Sequence, residues 1–266
     1  MSTQPALFIS HGAPDLAIAD VAAHHFLRSL GQRLERPDAI VIVSAHHESR
    51  RLAVRAPERF VTWHDFGNFD PKLYQLRYEP PGDESLAETV HGLLADAGLD
   101  PARDPSDRID HGAWVPLSLI FPDADIPVVM VSIDPARDAL WHYRIGRALA
   151  PLRDRNILLI GSGSISHNLR EVFRPTSADR AWVDAFTAWL EEKVRSGDAE
   201  ALLSAMTEAP QAVRNHPTDE HLLPFYFALG AGGGQGARIH KSYTWGILAM
   251  DAYAFGASDE ALRLAA

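Results

Sequence analysis

Three short apolar runs in this chain lead into histidine. "ALFIS" leads into His11, "AIVIVSA" into His46 and His47, and "ILLIGSGSIS" into His167. Neutral imidazole binds divalent metal ions, and it takes and gives protons near neutral pH. The chain has thirteen histidines and no cysteine. Disulfides, thiolate metal sites and cysteine nucleophiles are therefore excluded together, and any metal must use His, Asp or Glu. Two further segments add imidazoles. "RIDHGAW" places Asp110 and His111 in a loop ahead of "VPLSLIF". "NHPTDEHLLPF" places His216 and His221 around Asp219 and Glu220. That segment reads as a helix start, with Thr218 as the N-cap and His221 at the third helical position. His24, His25, His91, His142 and His240 sit in helical or late-strand patterns and are assigned no chemistry.

Each of these histidines also has a plain structural reading. His11 can end a strand and cap the next helix, and His46 and His47 can be solvated loop residues. "GSGSISHN" resembles a phosphate-cradling loop, but it lacks the GK[ST] of a P-loop and the spacing of GxGxxG. Ser162, Ser164 and Ser166 suggest a nucleophile, but no GxSxG elbow surrounds them. The weight comes from recurrence. Three strand-terminal imidazoles in one chain point to a shared metal site if the strands are parallel, because ligands bind beyond the carboxyl ends of such strands.

The elements that must position them are legible as periodicity. "PALFIS", "AIVIVSA", "IPVVMVSID" and "NILLIGSG" read as buried strands, and "RLAVRAP" as a partly exposed one. "DLAIADVAAHHFLRSLGQRL", "SLAETVHGLLADAG", "DALWHYRIGRALAPLRD" and "ADRAWVDAFTAWLEEKVRSG" carry helical spacing. Alternating strands and helices predict an α/β fold with a mostly parallel central sheet, helices on both faces, and the metal site at the carboxyl edge of the strands. The whole span, 1–266, is expected to form a single catalytic domain. "GAGGGQGARIH" reads as a flexible loop. "PERFVTWHDFGNFDPKLYQLRYEPPGD" is long, irregular and aromatic, which favours a functional role.

Charge and targeting signals narrow the class. Basic residues number 25 and acidic residues 35, a net charge of −10. Such a chain repels a phosphate backbone, so nucleic acid is not an expected partner. "MSTQPALFIS" is not a signal peptide, and no apolar run approaches the ~18 residues of a membrane span. A cytoplasmic protein without membrane partners is expected, and a homo-oligomer is compatible with this reading.

"ALFISHGAP", "VIVSAHHES", "TWHDFGNF", "LYQLRYEPPGD", "DHGAWVPL", "IPVVMVSID", "GSGSISHNL" and "HPTDEHLLP" follow one another in the order seen in class III extradiol ring-cleavage dioxygenases. The chain most resembles the 4,5-DOPA dioxygenase-type branch, roughly from Ala6 to its end. The resemblance implies a metal held by His11, His46 and His221. It implies His167 as the active-site histidine beside the metal, in some descriptions a fourth ligand, and His111 as a histidine near oxygen and substrate. The branch usually carries an aromatic residue after the second ligand. His47 stands there in this chain, and the expectation is an altered pocket wall. Glu220 is the carboxylate alternative to His221.

The implied reaction opens an aromatic diol next to its two hydroxyls, with O₂ as co-substrate and Fe(II) as the cofactor. Zn(II) is also compatible with an all-imidazole site. In this scheme His167 is the base for the diol, and His111 donates a hydrogen bond to oxygen as charge develops. Asp15, Glu48 and Asp110 are candidates to hold the second ring nitrogens. Trp63, Phe66, Phe69 and Trp114 are candidates to wall the substrate. The competing readings are a zinc hydrolase on the same residues and a non-catalytic interaction module of similar fold.

Overall fold

The computed structural model describes residues 3–172 and 179–256. The ends of the expected 1–266 domain, and 173–178, lie outside them. Eight strands form one sheet: β1 (Ala6–Ser10), β2 (Ala39–Glu48), β3 (Ala53–Arg55), β4 (Ala102–Arg103), β5 (Val128–Ile133), β6 (Ile157–Gly163), β7 (Gly236–His240) and β8 (Ala252–Phe255). Their order is β4-β3-β5-β2-β6-β1-β8-β7. The central four, β5-β2-β6-β1, are mutually parallel. Antiparallel pairings join β3 to β5 on one side and β8 to β1 on the other. The fold is α/β with a mostly parallel sheet, as the periodicity implies.

The main helices are α1 (Ala22–Arg33), α2 (Glu84–Asp96), α3 (His111–Ile120), α4 (Ala139–Leu149), α5 (Ala181–Ser196) and α6 (Leu223–Gly232). Strand alternation divides the core between the two faces. Ile40, Ile42, Leu158 and Ile160 pack with α1 and α3, whereas Val41, Val43, Leu159 and Val131 pack with α2, α4, α5 and α6. Helices on both faces explain why the central strands read as continuous apolar runs. No helix among the described residues is long and apolar enough to cross a membrane.

Several local expectations need correction. "RLAVRAP" yields a strand of three residues that is wholly buried, because it lies inside the sheet between β4 and β5. The glycine-rich stretch is not a loop throughout. Gly230 and Gly232 belong to α6, and β7 begins at Gly236. A side chain at Gly230 would collide with the Tyr143 carbonyl of α4, 2.1 Å away, so tight helix packing selects glycine there. The helical pattern from Asp15 breaks into a short 3₁₀ turn, Pro14–Ala17, followed by α1.

Candidate metal centre

β1 delivers His11 at its carboxyl end, and β2 delivers His46 two residues past Ser44, which pairs with Ser162 of β6. His11, Ser44, His46 and Ser162 share the α3 face of the sheet by strand parity. His221 arrives from the other face. It precedes α6 in a tight turn closed by the Asp219 carbonyl, which accepts from the N–H groups of Leu222 and Leu223. The helix therefore starts at Leu223, two residues past His221, and Thr218 is not its N-cap. Pro224 in the first turn explains the shift, since its fixed φ suits the helix start.

The turn crosses the end of β6 at Gly163, where a β-carbon would lie 2.1 Å from the His221 carbonyl. The Ser164 N–H donates to that same carbonyl at 2.8 Å. Glycine and serine in "GSGS" thus serve close packing of the His221 turn. His216 secures the same junction. Its ring N–H donates to the Ile165 carbonyl at 2.9 Å, and burial lowers its pKa to about 4.

The three Nε2 atoms converge. His46 Nε2 lies 3.2 Å from His11 Nε2 and 3.3 Å from His221 Nε2. Two donors at ~2.1 Å from one ion stand about 3.0 Å apart at a right angle and about 3.4 Å at the tetrahedral angle. The observed spacings lie within that interval. The second ring nitrogens fix the tautomers. Ser162 Oγ donates to the Gly112 carbonyl, so it must accept from His11 Nδ1–H, 3.0 Å away. Glu220 Oε1 accepts from His221 Nδ1–H at 3.0 Å. Both rings therefore present lone pairs at Nε2, as a metal ligand must. Burial first, then mutual repulsion, holds His11 and His221 well below their ordinary pKa. The same causes bring His46 down to about 3. The donor set is neutral at working pH and fits a divalent cation.

His11 and His221 are buried, at 1% and 5% exposure. His167 stays more open and stacks on the His221 ring, with centroids 3.4 Å apart. Its Nδ1 lies 3.8 Å from Glu220 Oε1, and burial lowers its pKa. Thus the three strand-terminal histidines do not form one trio. His221 joins His11 and His46, and His167 lies against it. Glu220 faces the second nitrogen of His221, away from the convergence point.

His111 is the first residue of α3, not a loop residue; Asp110 caps that helix by accepting from Ala113 N–H. The His111 ring lies 4.0 Å from that of His46. Asp65 Oδ1 accepts from both His111 Nδ1–H at 2.9 Å and His111 backbone N–H at 3.0 Å. Burial raises the Asp65 pKa, but these bonds outweigh it and leave it lowered. Gly112 permits the approach of α3, since a β-carbon there would stand 2.4 Å from Ser44 Oγ and 2.9 Å from His46 Cδ2.

His47 does not shape this pocket. It points to the opposite sheet face, buried, with its Nε2 3.1 Å from Asp104, which also pairs with Arg55. None of Asp15, Glu48 or Asp110 bonds a ring nitrogen of the cluster among the described residues. Ser162, Glu220 and Asp65 do so instead. Asp65 escapes sequence reasoning because it lies in the irregular aromatic segment; an acidic residue beside aromatics there is its only signal. From that segment Phe66 meets His111 edge-on at 5.8 Å. Trp114 is core, and Trp63 lies under the Arg108 guanidinium.

The chain resembles known proteins over most of its length. Residues 5–255 match the family described as the catalytic LigB subunit of aromatic ring-opening dioxygenase. A Beta vulgaris protein named 4,5-DOPA dioxygenase extradiol is 38% identical, over 93% of this chain and 95% of the relative. An Escherichia coli K12 protein of the same name is 39% identical, over 87% and 86%. The crystal structure of an uncharacterised Escherichia coli K12 protein, JW3007, superposes with a TM-score of 0.77 at 32% identity. It covers 95% of this chain and all of that one. With a family match across residues 5–255 and relatives well above 30% identity over most of both chains, the chain belongs to the LigB family of extradiol ring-cleavage dioxygenases.

Proposed function

We propose that His11, His46 and His221 hold one divalent ion, iron(II) in the working enzyme, and that the substrate is a catechol of the DOPA type. The observation that carries this reading is the convergence of three Nε2 atoms at 3.2 and 3.3 Å, with the Nδ1–H groups of His11 and His221 engaged elsewhere. The names of the Beta vulgaris and Escherichia coli relatives support a DOPA-like diol. The sheet draws strands from residue 6 to residue 255, which supports one catalytic domain.

Bound iron(II) supplies Lewis acidity to the diol oxygens and lifts the spin barrier to reaction with O₂. The protein's own groups manage protons and orientation. His167 takes a proton from the diol at a ring nitrogen, and the Glu220 carboxylate, 3.8 Å from its Nδ1, stabilises the cation so formed. Asp65 fixes the neutral tautomer of His111 with the lone pair at Nε2. In its neutral form that nitrogen accepts, and with a proton added it donates to oxygen. Glu220 orients His221 and is not itself a ligand. Phe66, edge-on to His111, is placed to confine an aromatic ring.

The test is anaerobic reconstitution with iron(II) followed by a panel of catechols in air. A yellow ring-opened semialdehyde with one O₂ consumed per product is expected. Metal loading without O₂ uptake on any catechol would overturn the proposal.

A further inference from the structure

His11 and His167 follow the neighbouring parallel strands β1 and β6, yet they have different tasks in the proposed reaction. His11 faces the metal, and its ring is fixed by Ser162. His167 lies past the end of β6, in the bend 164–168. Whatever ties that bend to the sheet decides where the base stands relative to the ion. Most of its hydrogen bonds run to one segment, 214–221. The Ser164 N–H donates to the His221 carbonyl at 2.8 Å, and the His167 N–H to the Asn215 carbonyl at 2.9 Å. The Ile165 carbonyl accepts from the His216 ring, and Asn168 Nδ2 donates to the Arg214 carbonyl. Ser166 Oγ reaches the Ile247 carbonyl at 3.4 Å. The Ile165 N–H goes elsewhere and donates to Ser10 Oγ at 3.3 Å. Among the described residues, this is the bend's one hydrogen bond to a strand that carries a proposed ligand.

Ser10 is the last residue of β1 and directly precedes His11. Strand alternation sends the His11 ring to the α3 face and the Ser10 hydroxyl to the opposite face, where Ile165 joins the core. The single hydroxyl proton goes to the Asp251 carbonyl at 2.8 Å, so Ser10 Oγ accepts from Ile165. The residue that bears this carbonyl is itself fixed. The buried Asp251 carboxylate lies 3.1 Å from Arg238, which also pairs with Glu191 of α5. Ser10, Ile165 and Asp251 are all buried. Loss of the hydroxyl therefore orphans an N–H and a carbonyl together.

We propose that Ser10 is a positioning residue that sets the distance between the metal, through the adjacent His11, and the base His167, through Ile165. The inference rests on the reading of His167 as the base and adds to it the residue that places that base.

The test compares Ser10→Ala, which lacks the hydroxyl, with Ser10→Thr, which keeps one. Hydrogen exchange on the zinc-loaded proteins reads the bend directly. Ser10→Ala should exchange faster over 164–168 while the other segments keep their protection. Its zinc affinity should stay within about threefold of the unmodified protein, because Ser162 continues to hold the His11 ring. With iron(II) and DOPA, its kcat should fall roughly ten- to a hundredfold, and KM should change less than about threefold. Ser10→Thr should recover both the protection of the bend and kcat. Unchanged exchange over 164–168, an unchanged kcat, or a Ser10→Thr variant as slow as Ser10→Ala would overturn the proposal. Faster exchange throughout the molecule with zinc affinity lost in step would also overturn it, since that marks general destabilisation. His167→Ala is assayed in parallel. An inactive His167→Ala beside a fully active Ser10→Ala removes the role of Ser10 and keeps the base, whereas a fully active His167→Ala removes both.

Discussion

Asp65 and Glu220 govern which nitrogen of a neighbouring imidazole carries its proton, and that choice decides what the ring can do. Asp65→Asn retains an acceptor for His111 but removes the carboxylate charge beside the ring. Steady-state assays should show kcat reduced roughly 10²-fold, with metal content unchanged; an unaltered kcat would remove Asp65 from the account. His221→Ala should lower metal affinity by more than the roughly 10–100-fold typical of losing an outer-shell partner. His167→Ala should retain the ion and lose turnover. Metal analysis of both variants separates the two roles, and retention of metal by His221→Ala would shift the ligand role to Glu220. At this scale the sequence displayed the histidines but not their partners. Ser162 and Asp65 lie 151 and 46 residues from the rings they hold. Such pairings arise from the fold, and no local pattern encodes them.

The elements deliver these rings by close approach. β1 and β2 present His11 and His46 on one face, α3 closes over them at Gly112, and the turn before α6 brings His221 across Gly163. Gly112→Ala would push a β-carbon against Ser44 and both strand-borne imidazoles. Overpacking of this kind costs about 1–3 kcal/mol. A lower unfolding midpoint together with weakened metal binding is expected, and a variant with wild-type metal affinity would refute the role given to this contact. Strand identity was legible because the central strands are buried on both faces and read as unbroken apolar runs. The start of α6 was not. "PTDE" looks like an N-terminal cap, yet Pro224 sets the first turn and Asp219 closes the preceding one through its backbone carbonyl. The choice between those two starts depends on tertiary contacts with β6. His47 shows the same limit. Its neighbour His46 lies in the imidazole cluster, but strand alternation sends His47 to the opposite face.

Across the whole molecule, burial of uncharged histidines makes stability depend on pH. His142 and His216 lie outside the metal cluster, and burial lowers the pKa of each to about 4. Unfolded, each returns to about 6.5. Between these values the unfolded chain binds protons that the folded chain refuses. Stability is therefore full above pH 6.5 and falls as the pH drops toward 4. Urea midpoints of the metal-free protein should decline over that window, and a flat profile from pH 7 to pH 4.5 would contradict the assignment. The parallel sheet and its reactive edge were foreseeable from alternating strands and helices, since strand-terminal residues of parallel strands must share one end. The central claim is that histidines from three distant segments share a single ion. Anomalous diffraction from crystals of the iron-loaded protein tests it most directly. One peak is predicted, at about 2.1 Å from Nε2 of His11, His46 and His221 together; a peak bound through Glu220, or lying elsewhere in the molecule, would contradict it.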